Sequence, residues 1–305
     1  MVCNIYEKWC VPFSFLCYTK HSVDLKGETN NMERRNAWKI YTADQLKELD
    51  QINSRYKVCL DEGKTERECV RLTVKEIEKK GYRNLKNIQG SLKAGDKVYA
   101  VCMGKSIAMF QIGKEPLENG MNILGAHIDS PRIDVKQNPL YENEDLAYLD
   151  THYYGGIKKY QWVTLPLAMH GVIAKKDGSV VTINIGEKSE DPVFGVSDLL
   201  IHLSADQLEK KAAKVIEGEA LDILVGSMPL EAKTEEEKKT KELVQANVLK
   251  ILKDAYGVEE EDFLSAEIEI VPAGPARDYG FDRSMIMGYG HDDRVCAYPS
   301  FSAIA

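Results

Sequence analysis

The chain has 305 residues, of which 44% are hydrophobic and 29% are charged, and its formal net charge is −8. This length predicts about two domains of ordinary size, and the apolar content excludes a chain that is disordered throughout. The acidic balance argues against a nucleic-acid partner, and no apolar run approaches the roughly 20 residues of a membrane span, which argues against a membrane partner.

The N-terminal region holds three of the seven cysteines, Cys3, Cys10 and Cys17. None of the seven belongs to a Cys-x-x-Cys pair, and an odd, scattered set is typical of reduced proteins, so we expect a cytoplasmic location. The seven-residue spacing of these three leaves a thiol cluster or a lipidation site open. We interpret residues 1–31 as an extension outside the fold, because the first clear helix signals follow a second methionine, Met32.

Two helices are predicted after this extension. Thr42 and Gln45 have the spacing of a capping box, and the apolar residues that follow repeat with helical periodicity as far as Gly63. A second capping box begins at Thr65, and its helix is expected to end at Gly81.

Apolar runs then predict strands. Residues 98–103 and 107–112 flank a Gly-Lys pair and are typical of a β-hairpin. Residues 122–126 form a short apolar run, which we interpret as a buried strand. This strand would place His127 at its carboxyl end, where α/β sheets commonly carry their chemistry.

The second half of the chain mixes strand and helix signals. Strands are predicted at 180–185, 221–225 and 266–270, the last of them half-buried, and helices at 204–218 and 234–256. The expected helix caps are Ser204 with Gln207 and Thr234 with Glu237. Between Asp206 and Ile270 there are 17 acidic and 9 basic residues, which accounts for the whole net charge. We interpret this acidic block as the solvated face of the two helices.

The segment Gly-Ala-His-Ile-Asp-Ser-Pro-Arg at residues 125–132 carries the strongest chemical signal. A neutral imidazole such as that of His127 is a good zinc ligand. A carboxylate two residues later, that of Asp129, can accept a hydrogen bond from the other ring nitrogen and fix the orientation of the ring. A His-x-Asp pair also arises by chance, so a histidine that is hydrogen-bonded near a turn is the alternative.

A second cluster, Gly-Tyr-Gly-His-Asp-Asp-Arg, lies at residues 288–294. Adjacent carboxylates beside flexible glycines can supply a ligand that bridges two metal ions. A solvated acidic turn paired with Arg294 is the alternative. His291 and Asp293 repeat the His-x-Asp pattern, so the spacing leaves open whether His127 or His291 binds metal. The usual motifs of serine hydrolases, nucleotide-binding loops and His-Glu-x-x-His proteases are missing from the sequence.

Taken in chain order, these segments resemble the aspartyl aminopeptidase family of dinuclear zinc aminopeptidases, in particular its bacterial subgroup. The resemblance extends from about Met32 to the last residue and rests on residues 125–134, Asn138-Pro139, the Tyr-Gly-Gly turn at 154–156, Leu-Leu-Ile-His-Leu at 199–203 and Asp-Asp-Arg-Val at 292–295. It implies a zinc metallo-aminopeptidase. Such an enzyme removes N-terminal, acidic residues from peptide substrates by means of a water activated by two zinc ions.

The resemblance also implies a fold and an assembly. The expected fold class is α/β, with a phosphorylase/hydrolase-like zinc exopeptidase catalytic domain that is interrupted by an inserted β-rich dimerisation domain. In this sequence the catalytic domain would occupy residues 32–162 and resume at 279–305, with the insertion at 163–278. Complete relatives are expected to be homo-oligomers, in which dimers assemble into a dodecamer.

Four site positions follow from the resemblance. His127 matches a zinc ligand, and Asp129 matches the catalytic carboxylate that orients it. Asp293, rather than Asp292, matches the aspartate that bridges the two metal ions. His202 matches a histidine of the inserted domain that reaches the substrate site of a neighbouring subunit. A packed histidine on an amphipathic helix is the alternative for His202.

Two departures from the family pattern bear on activity. Residues 161–167 lack the charged side chains often found after the Gly-Gly turn, which weakens the expected preference for acidic residues. The family's glutamate pair, a further acidic ligand and a final histidine lie beyond the bridging aspartate, and the chain ends at Ala305. We therefore expect an incomplete catalytic domain that binds zinc poorly and has little or no peptidase activity. A non-catalytic assembly subunit and a gene fragment are the alternatives to an active enzyme.

Overall fold

The computed structural model of this chain describes residues 36–231, 234 and 241–305. The expected extension at residues 1–31, with its three cysteines, lies outside the described residues, and so does Glu237 of the expected second-half capping box. Within the described ranges, no helix combines the length and the apolar character needed to cross a bilayer.

The two N-terminal helices form as predicted. Helix α1 (Ala43–Glu62) and helix α2 (Glu66–Lys79) both begin with complete capping boxes, in which the threonine hydroxyl and the side chain three residues later each accept a backbone N–H. Helix α1 ends at Gly63, and Gly81, just after α2, has a positive φ of 87°. Both predicted helices are confirmed.

A small sheet packs against α2. It consists of β1 (Arg83–Asn84), β2 (Lys97–Cys102) and β3 (Ser106–Gln111), where β1 is parallel to β2 and β3 is antiparallel to it. The predicted hairpin is therefore confirmed. Ile77 of α2 packs with Tyr82 and Tyr99 in a small apolar core beneath this sheet.

The larger sheet has six antiparallel strands. Its members are β4 (Arg132–Asn143), β5 (Leu146–Tyr154), β6 (Leu167–Ala174), β7 (Val180–Ile185), β8 (Ile223–Gly226) and β9 (Ala266–Pro272). The strand order is β7-β6-β9-β4-β5-β8. The predicted strands at 180–185, 221–225 and 266–270 are found, each within a residue or two of its expected bounds. Strands on both sides of the expected domain boundary at residue 162 thus share one sheet, and the domain division itself stays a prediction.

Strand β9 lies in the middle of this sheet, between β6 and β4. The expectation that it is half-buried is wrong, because Ile268, Glu269, Ile270 and Val271 are all buried. Its alternating apolar and acidic residues resemble a strand with one solvated face. On the acidic face Glu267 is partly exposed, but Glu269 is buried and meets the buried guanidinium of Arg132.

The expected buried strand at residues 122–126 does not form. This segment is extended without regular structure, and the side chain of Ile123 is 80% exposed. A strand is stabilised by its neighbours in a sheet, and none of the described strands pairs with this segment. His127 therefore follows an exposed loop rather than a buried strand.

The expected continuous helix at 204–218 is also wrong. The chain forms two single-turn helices, α3 (Ala205–Leu208) and α4 (Ala212–Val215), separated by Lys211 in an extended conformation. The hydroxyl of Ser204 donates to the carbonyl of Ile201 instead of capping a helix. Short, exposed helices gain little from packing, so their propensity alone does not hold them together.

Helix α5 (Leu243–Tyr256) ends as predicted, with Gly257 in the left-handed conformation, and packs on the large sheet. It begins at Leu243 rather than at Thr234. The remaining elements are the hairpin of β10 (Arg277–Tyr279) and β11 (Met285–Met287), followed by α6 (His291–Ile304). The α/β fold class predicted from the sequence is confirmed.

Candidate metal centre

Two distant segments meet at the candidate site. One is the loop that contains His127 and Asp129 and leads into β4. The other is the start of α6, where the backbone of Asp292 and Asp293 is non-helical and the peptide bond between them is cis. This irregular start places both aspartates beside the loop.

The imidazole of His127 faces these two carboxylates. Its Nε2 atom lies 3.6 Å from Oδ1 of Asp292 and 3.5 Å from Oδ2 of Asp293. One ligand atom from each of the three residues can be chosen so that all lie within 4.8 Å of one another. This spacing is the arrangement that a cation bound by several side chains requires.

The other ring nitrogen of His127, Nδ1, contacts Asp129 on the side of the ring away from Asp292 and Asp293. Its Nδ1 atom lies 3.1 Å from the carbonyl oxygen of Asp129 and 3.2 Å from Oδ1 of the same residue. With both acceptors on this side, Nδ1 carries a proton and donates toward Asp129, and Nε2 is the ring nitrogen that a bound cation would take as a ligand. Asp129 thus occupies the orienting position that the resemblance implies.

Asp129 is itself held by Tyr154, at the end of β5. The Tyr154 hydroxyl donates to Oδ2 of Asp129 at 2.9 Å. Burial raises the pKa of Asp129, but the hydrogen bond from Tyr154 and the neighbouring His127 outweigh it and hold that pKa below its ordinary value. The carboxyl group is therefore an anion at neutral pH, as an acceptor for the ring N–H must be.

The pKa of His127 moves in the opposite direction. Slight burial lowers it, but the hydrogen bond to the Asp129 carbonyl and the negative charges of Asp129 and Asp293 raise it above its ordinary value. The site therefore favours positive charge at the imidazole. A divalent cation would satisfy the same negative field.

A buried arginine ties the two segments together. Arg294, 2% exposed, donates to the hydroxyl oxygen of Ser130, and the Ser130 hydroxyl in turn donates to the carbonyl of Asp292. The other guanidinium nitrogens donate to Sγ of Cys69 and to the carbonyl of Lys64 at 3.0 Å. The start of α6 is thereby anchored to the loop and to the loop before α2.

Gly290 makes room for this arginine. Its φ is 89°, and a Cβ at this position would lie 2.4 Å from Nη1 of Arg294. Both the left-handed backbone and the close approach of the guanidinium therefore require glycine here. The local packing around Arg294 therefore explains why a glycine stands beside the acidic cluster.

The structure separates the two histidines that the spacing left open. His291 has both ring nitrogens engaged inside the protein, with Nδ1 3.0 Å from the hydroxyl of Tyr56 and Nε2 3.2 Å from the carbonyl of Ile286. Burial lowers the pKa of His291. His127 is exposed and turns its Nε2 to the carboxylates of Asp292 and Asp293, so of the two histidines it is the one that lies in the carboxylate cluster.

The donor set suits zinc or a similar ion of borderline softness. An imidazole nitrogen and carboxylate oxygens are ordinary zinc ligands, and the ring carries the hydrogen-bonded carboxylate that zinc histidines usually have. Three donors are present here. Asp292 is a possible donor that the sequence argument set aside in favour of Asp293, because two adjacent aspartates cannot be ranked without the backbone conformation between them.

His202 is placed apart from this cluster. It lies in the 3₁₀ turn Ile201–Leu203 and is exposed. Among the described residues it makes no hydrogen bond or ion pair with His127, Asp129 or Asp293. The packed amphipathic helix considered as its alternative setting does not form, since Leu200, Ile201 and Leu203 are exposed as well.

Comparison with known proteins places this site in a family. The sequence profile described as aminopeptidase I zinc metalloprotease (M18) matches residues 59–305. A probable M18 family aminopeptidase 1 of Clostridium acetobutylicum is 62% identical over 275 residues, covering 89% of this chain and 58% of the relative. The chain therefore spans less than two thirds of the length of the curated relatives that it matches.

Solved structures give the same result. The crystal structure of aminopeptidase I from Clostridium acetobutylicum matches with a TM-score of 0.80 and 58% identity, over 89% of this chain and 59% of that one. An M18 aminopeptidase from Thermotoga maritima matches with a TM-score of 0.81 and 44% identity, over 90% and 58% of the two chains. The family predicted from the sequence is confirmed, and the chain belongs to the M18 family of aminopeptidase I zinc metalloproteases.

Proposed function

We propose that this chain carries metal ligands of a zinc aminopeptidase site, which acts on peptide substrates with a free N-terminus. The observation that carries this proposal is the geometry of His127. Its Nε2 faces the carboxylates of Asp292 and Asp293 at 3.5–3.6 Å, while Asp129 holds Nδ1. Membership of a zinc metalloprotease family supports the same reading.

Each residue has a distinct role in this proposal. His127 and Asp293 would hold the metal, and Asp292 is close enough to add a third donor. Bound zinc lowers the pKa of a water toward about 7 and polarises a peptide carbonyl. Asp129 fixes the tautomer and the direction of the His127 ring, so that the ring nitrogen offered to the metal is always Nε2.

The proposed substrate and assembly rest on the family resemblance rather than on the geometry of His127. The resemblance supports removal of N-terminal acidic residues, with His202 contacting substrate from a neighbouring copy in a homo-oligomer. The scattered cysteines of the sequence, which include no Cys-x-x-Cys pair, support a reducing, cytoplasmic compartment.

Zinc binding to the full chain tests the proposal directly. We expect one zinc equivalent to bind and to be lost in His127→Gln and Asp293→Asn, as measured by competition with a chromophoric chelator. His152→Gln is the matched control, because His152 is also exposed and also pairs with a carboxylate, that of Glu219. Equal zinc affinity in the wild type, H127Q and H152Q would overturn the assignment of the site.

Catalysis is tested separately from metal binding. Three protein donors suffice for one catalytic zinc ion but not for two, so we expect little turnover of Asp- or Leu-anilides by this chain if the reaction uses the two zinc ions that the resemblance implies. Two tightly bound zinc ions per chain with rapid anilide turnover would contradict that expectation. Turnover that disappears in D293N would then assign the activity to this site.

A non-catalytic assembly subunit is the second candidate function. The observation in its favour is an exposed apolar cluster around His202, formed by Leu199, Leu200, Ile201, Leu203 and Leu208. Large exposed apolar patches commonly mark interfaces between proteins. Light scattering after size-exclusion chromatography separates the cases, since a defined dimer or larger assembly supports this function and aggregation supports a gene fragment.

A further inference from the structure

Tyr154 lies opposite Arg132 in the register between β5 and β4. The Arg132 guanidinium carbon is 4.1 Å from the centroid of the Tyr154 ring, a distance at which a cation is attracted to an aromatic face. Although Tyr154 is 40% exposed, its ring therefore has a fixed partner on one side.

Arg132 is in turn held firmly. It is buried, and it donates to Glu66 at 2.9 Å and to Asp134 at 2.7 Å, with Glu269 at 3.3 Å. Three carboxylates around one guanidinium leave it little freedom to rotate. The cation over the tyrosine ring is thus part of the rigid sheet.

The hydroxyl of Tyr154 connects this sheet to the candidate metal ligand. It donates to Oδ2 of Asp129, while Oδ1 of the same carboxylate faces Nδ1 of His127. Asp129 lies in a loop, and a loop carboxylate with a single hydrogen bond can rotate about its Cβ–Cγ bond. The second hydrogen bond, from a ring that is itself clamped, fixes the plane of the carboxylate.

We propose that Tyr154, clamped by Arg132, is a positioning residue that sets the orientation of the His127 imidazole through Asp129. The inference rests on the proposed function for its metal-binding consequence. The ordering of the Asp129–His127 pair by the tyrosine hydroxyl does not depend on a metal ion and applies to the metal-free chain as well. Nothing in the proposed role requires Tyr154 to touch substrate or metal.

Tyr154→Phe removes the hydroxyl and keeps the ring over Arg132, so the fold is expected to survive. Tyr141→Phe is the matched control, because Tyr141 belongs to the same β4–β5 hairpin and also donates to a carboxylate, that of Asp222, at 2.6 Å. The first measurement is the ring ¹⁵N spectrum of the histidines in metal-free protein. We expect the Nδ1 signal of His127 to shift in Y154F, because its hydrogen bond to Asp129 becomes less ordered, and to stay unchanged in Y141F.

The second measurement is zinc affinity by chelator competition. Loss of an outer partner of a metal ligand commonly costs about 10–100-fold in affinity, and Tyr154 is one step further out, so we expect roughly threefold to tenfold weaker binding in Y154F. Y141F should bind as the wild type does. A His127 spectrum and a zinc affinity that are both unchanged in Y154F would overturn the positioning role.

The two proposals fail in different ways. A wild-type chain that binds no zinc contradicts the proposed function, and the metal-free spectra of Y154F still decide the positioning role. If the wild type binds zinc, and Y154F binds it equally tightly and shows unchanged His127 signals, only the positioning role is contradicted.

Discussion

A hydrogen bond from the guanidinium of Arg294 to the hydroxyl oxygen of Ser130 joins the two halves of the candidate metal centre. The Ser130 hydroxyl in turn donates a hydrogen bond to the carbonyl of Asp292. A single serine therefore links the buried arginine to the backbone between the two aspartates. Within the described part of the chain, the hydrogen-bond acceptors of Arg294 are neutral groups: a thiol, a hydroxyl and two backbone carbonyls. A buried cation held by neutral groups depends on every one of them.

Ser130→Ala should therefore weaken both the fold and the site. The substitution leaves a buried guanidinium nitrogen with only the Gly290 carbonyl, 3.5 Å away, and we expect a loss of about 1–3 kcal/mol in the free energy of unfolding. Zinc affinity should fall with it, because Asp292 loses its anchor. Urea unfolding and chelator competition measure the two effects.

Ser54→Ala is the control for that substitution, since the Ser54 hydroxyl also donates to a backbone carbonyl but on the exposed face of α1. We expect S54A to stay within about 0.5 kcal/mol of the wild type. If S130A is as stable as S54A and binds zinc equally well, the serine link has no role in holding the site.

Gly290→Ala tests the space beside Arg294. The new Cβ would meet Nη1 at 2.4 Å in addition to the strain of a positive φ, so displacement of the guanidinium is expected. Gly178→Ala is the matched control, because its φ is 85° and no atom lies within 4 Å of its Cβ position. G290A should lose more stability than G178A and should also lose zinc affinity. Equal losses in the two variants would mean that backbone strain alone accounts for the glycine.

Much of the local structure could be predicted from the sequence, because its causes are local. The capping boxes at Thr42 and Thr65 need only residues three apart, and the left-handed end of α5 needs only Gly257. The failures at 122–126 and 204–218 have the opposite cause. Whether an apolar run becomes a buried strand or a helix depends on partners elsewhere in the chain, which the run itself does not specify.

The candidate site divides in the same way. His127 and Asp129 could be found from their spacing, because a histidine and its orienting carboxylate lie two residues apart. The contribution of Asp292 depends on the irregular backbone at the start of α6, and Tyr154 reaches Asp129 only because β5 returns antiparallel to β4. No short sequence motif predicts the position of Asp292 at the site or the contact between Tyr154 and Asp129.

Buried His170 joins α2 to the large sheet. Its Nδ1 atom lies 3.0 Å from Glu68 and its Nε2 atom 2.9 Å from Glu187, and Lys64 lies 3.5 Å from Glu187. Because both ring nitrogens face carboxylates, both must donate and the ring is an imidazolium. Burial lowers the pKa of His170, but the hydrogen bonds to Glu187 and Glu68 outweigh it and raise that pKa above its ordinary value.

His170→Gln should destabilise the chain in a pH-dependent way. A raised pKa contributes stability that is fully present below the ordinary value of about 6.5 and is lost as the pH rises through the folded value. We therefore expect H170Q to cost about 3–5 kcal/mol near pH 6 and less near pH 9, measured by urea unfolding. His152→Gln, at an exposed ion pair, should show little loss at either pH. A cost in H170Q that is constant across this range would contradict the charged state.

Glu269, in the middle of the large sheet, also has a raised pKa, here because its neutral form is favoured. Burial and the charge of Glu66 raise the pKa of Glu269 to about 9, although the guanidinium of Arg132 opposes the shift. Oε2 of Glu66 is buried without a hydrogen-bond donor. A protonated Glu269 is placed to supply that donor.

Glu269→Gln should therefore become more favourable, relative to the wild type, as the pH rises. Between the ordinary glutamic acid pKa and about 9, the folded wild type binds a proton that the unfolded chain releases, so its stability falls by up to about 1.4 kcal/mol per pH unit. The glutamine amide keeps a donor for Glu66 and has no proton to bind. Urea unfolding at pH 5 and pH 8.5 measures the difference between the two proteins.

Glu267→Gln is the control on the same strand, with the opposite sign. Glu267 pairs with Arg67 and Lys105, and despite partial burial these partners hold its pKa below the ordinary value. Its charge therefore stabilises the fold above that value, and E267Q should lose stability at neutral and alkaline pH. Because Glu267 is ionised across pH 5–8.5, the difference between E267Q and the wild type should stay nearly constant over this range. If the difference between E269Q and the wild type is equally constant, the protonated state of Glu269 is wrong.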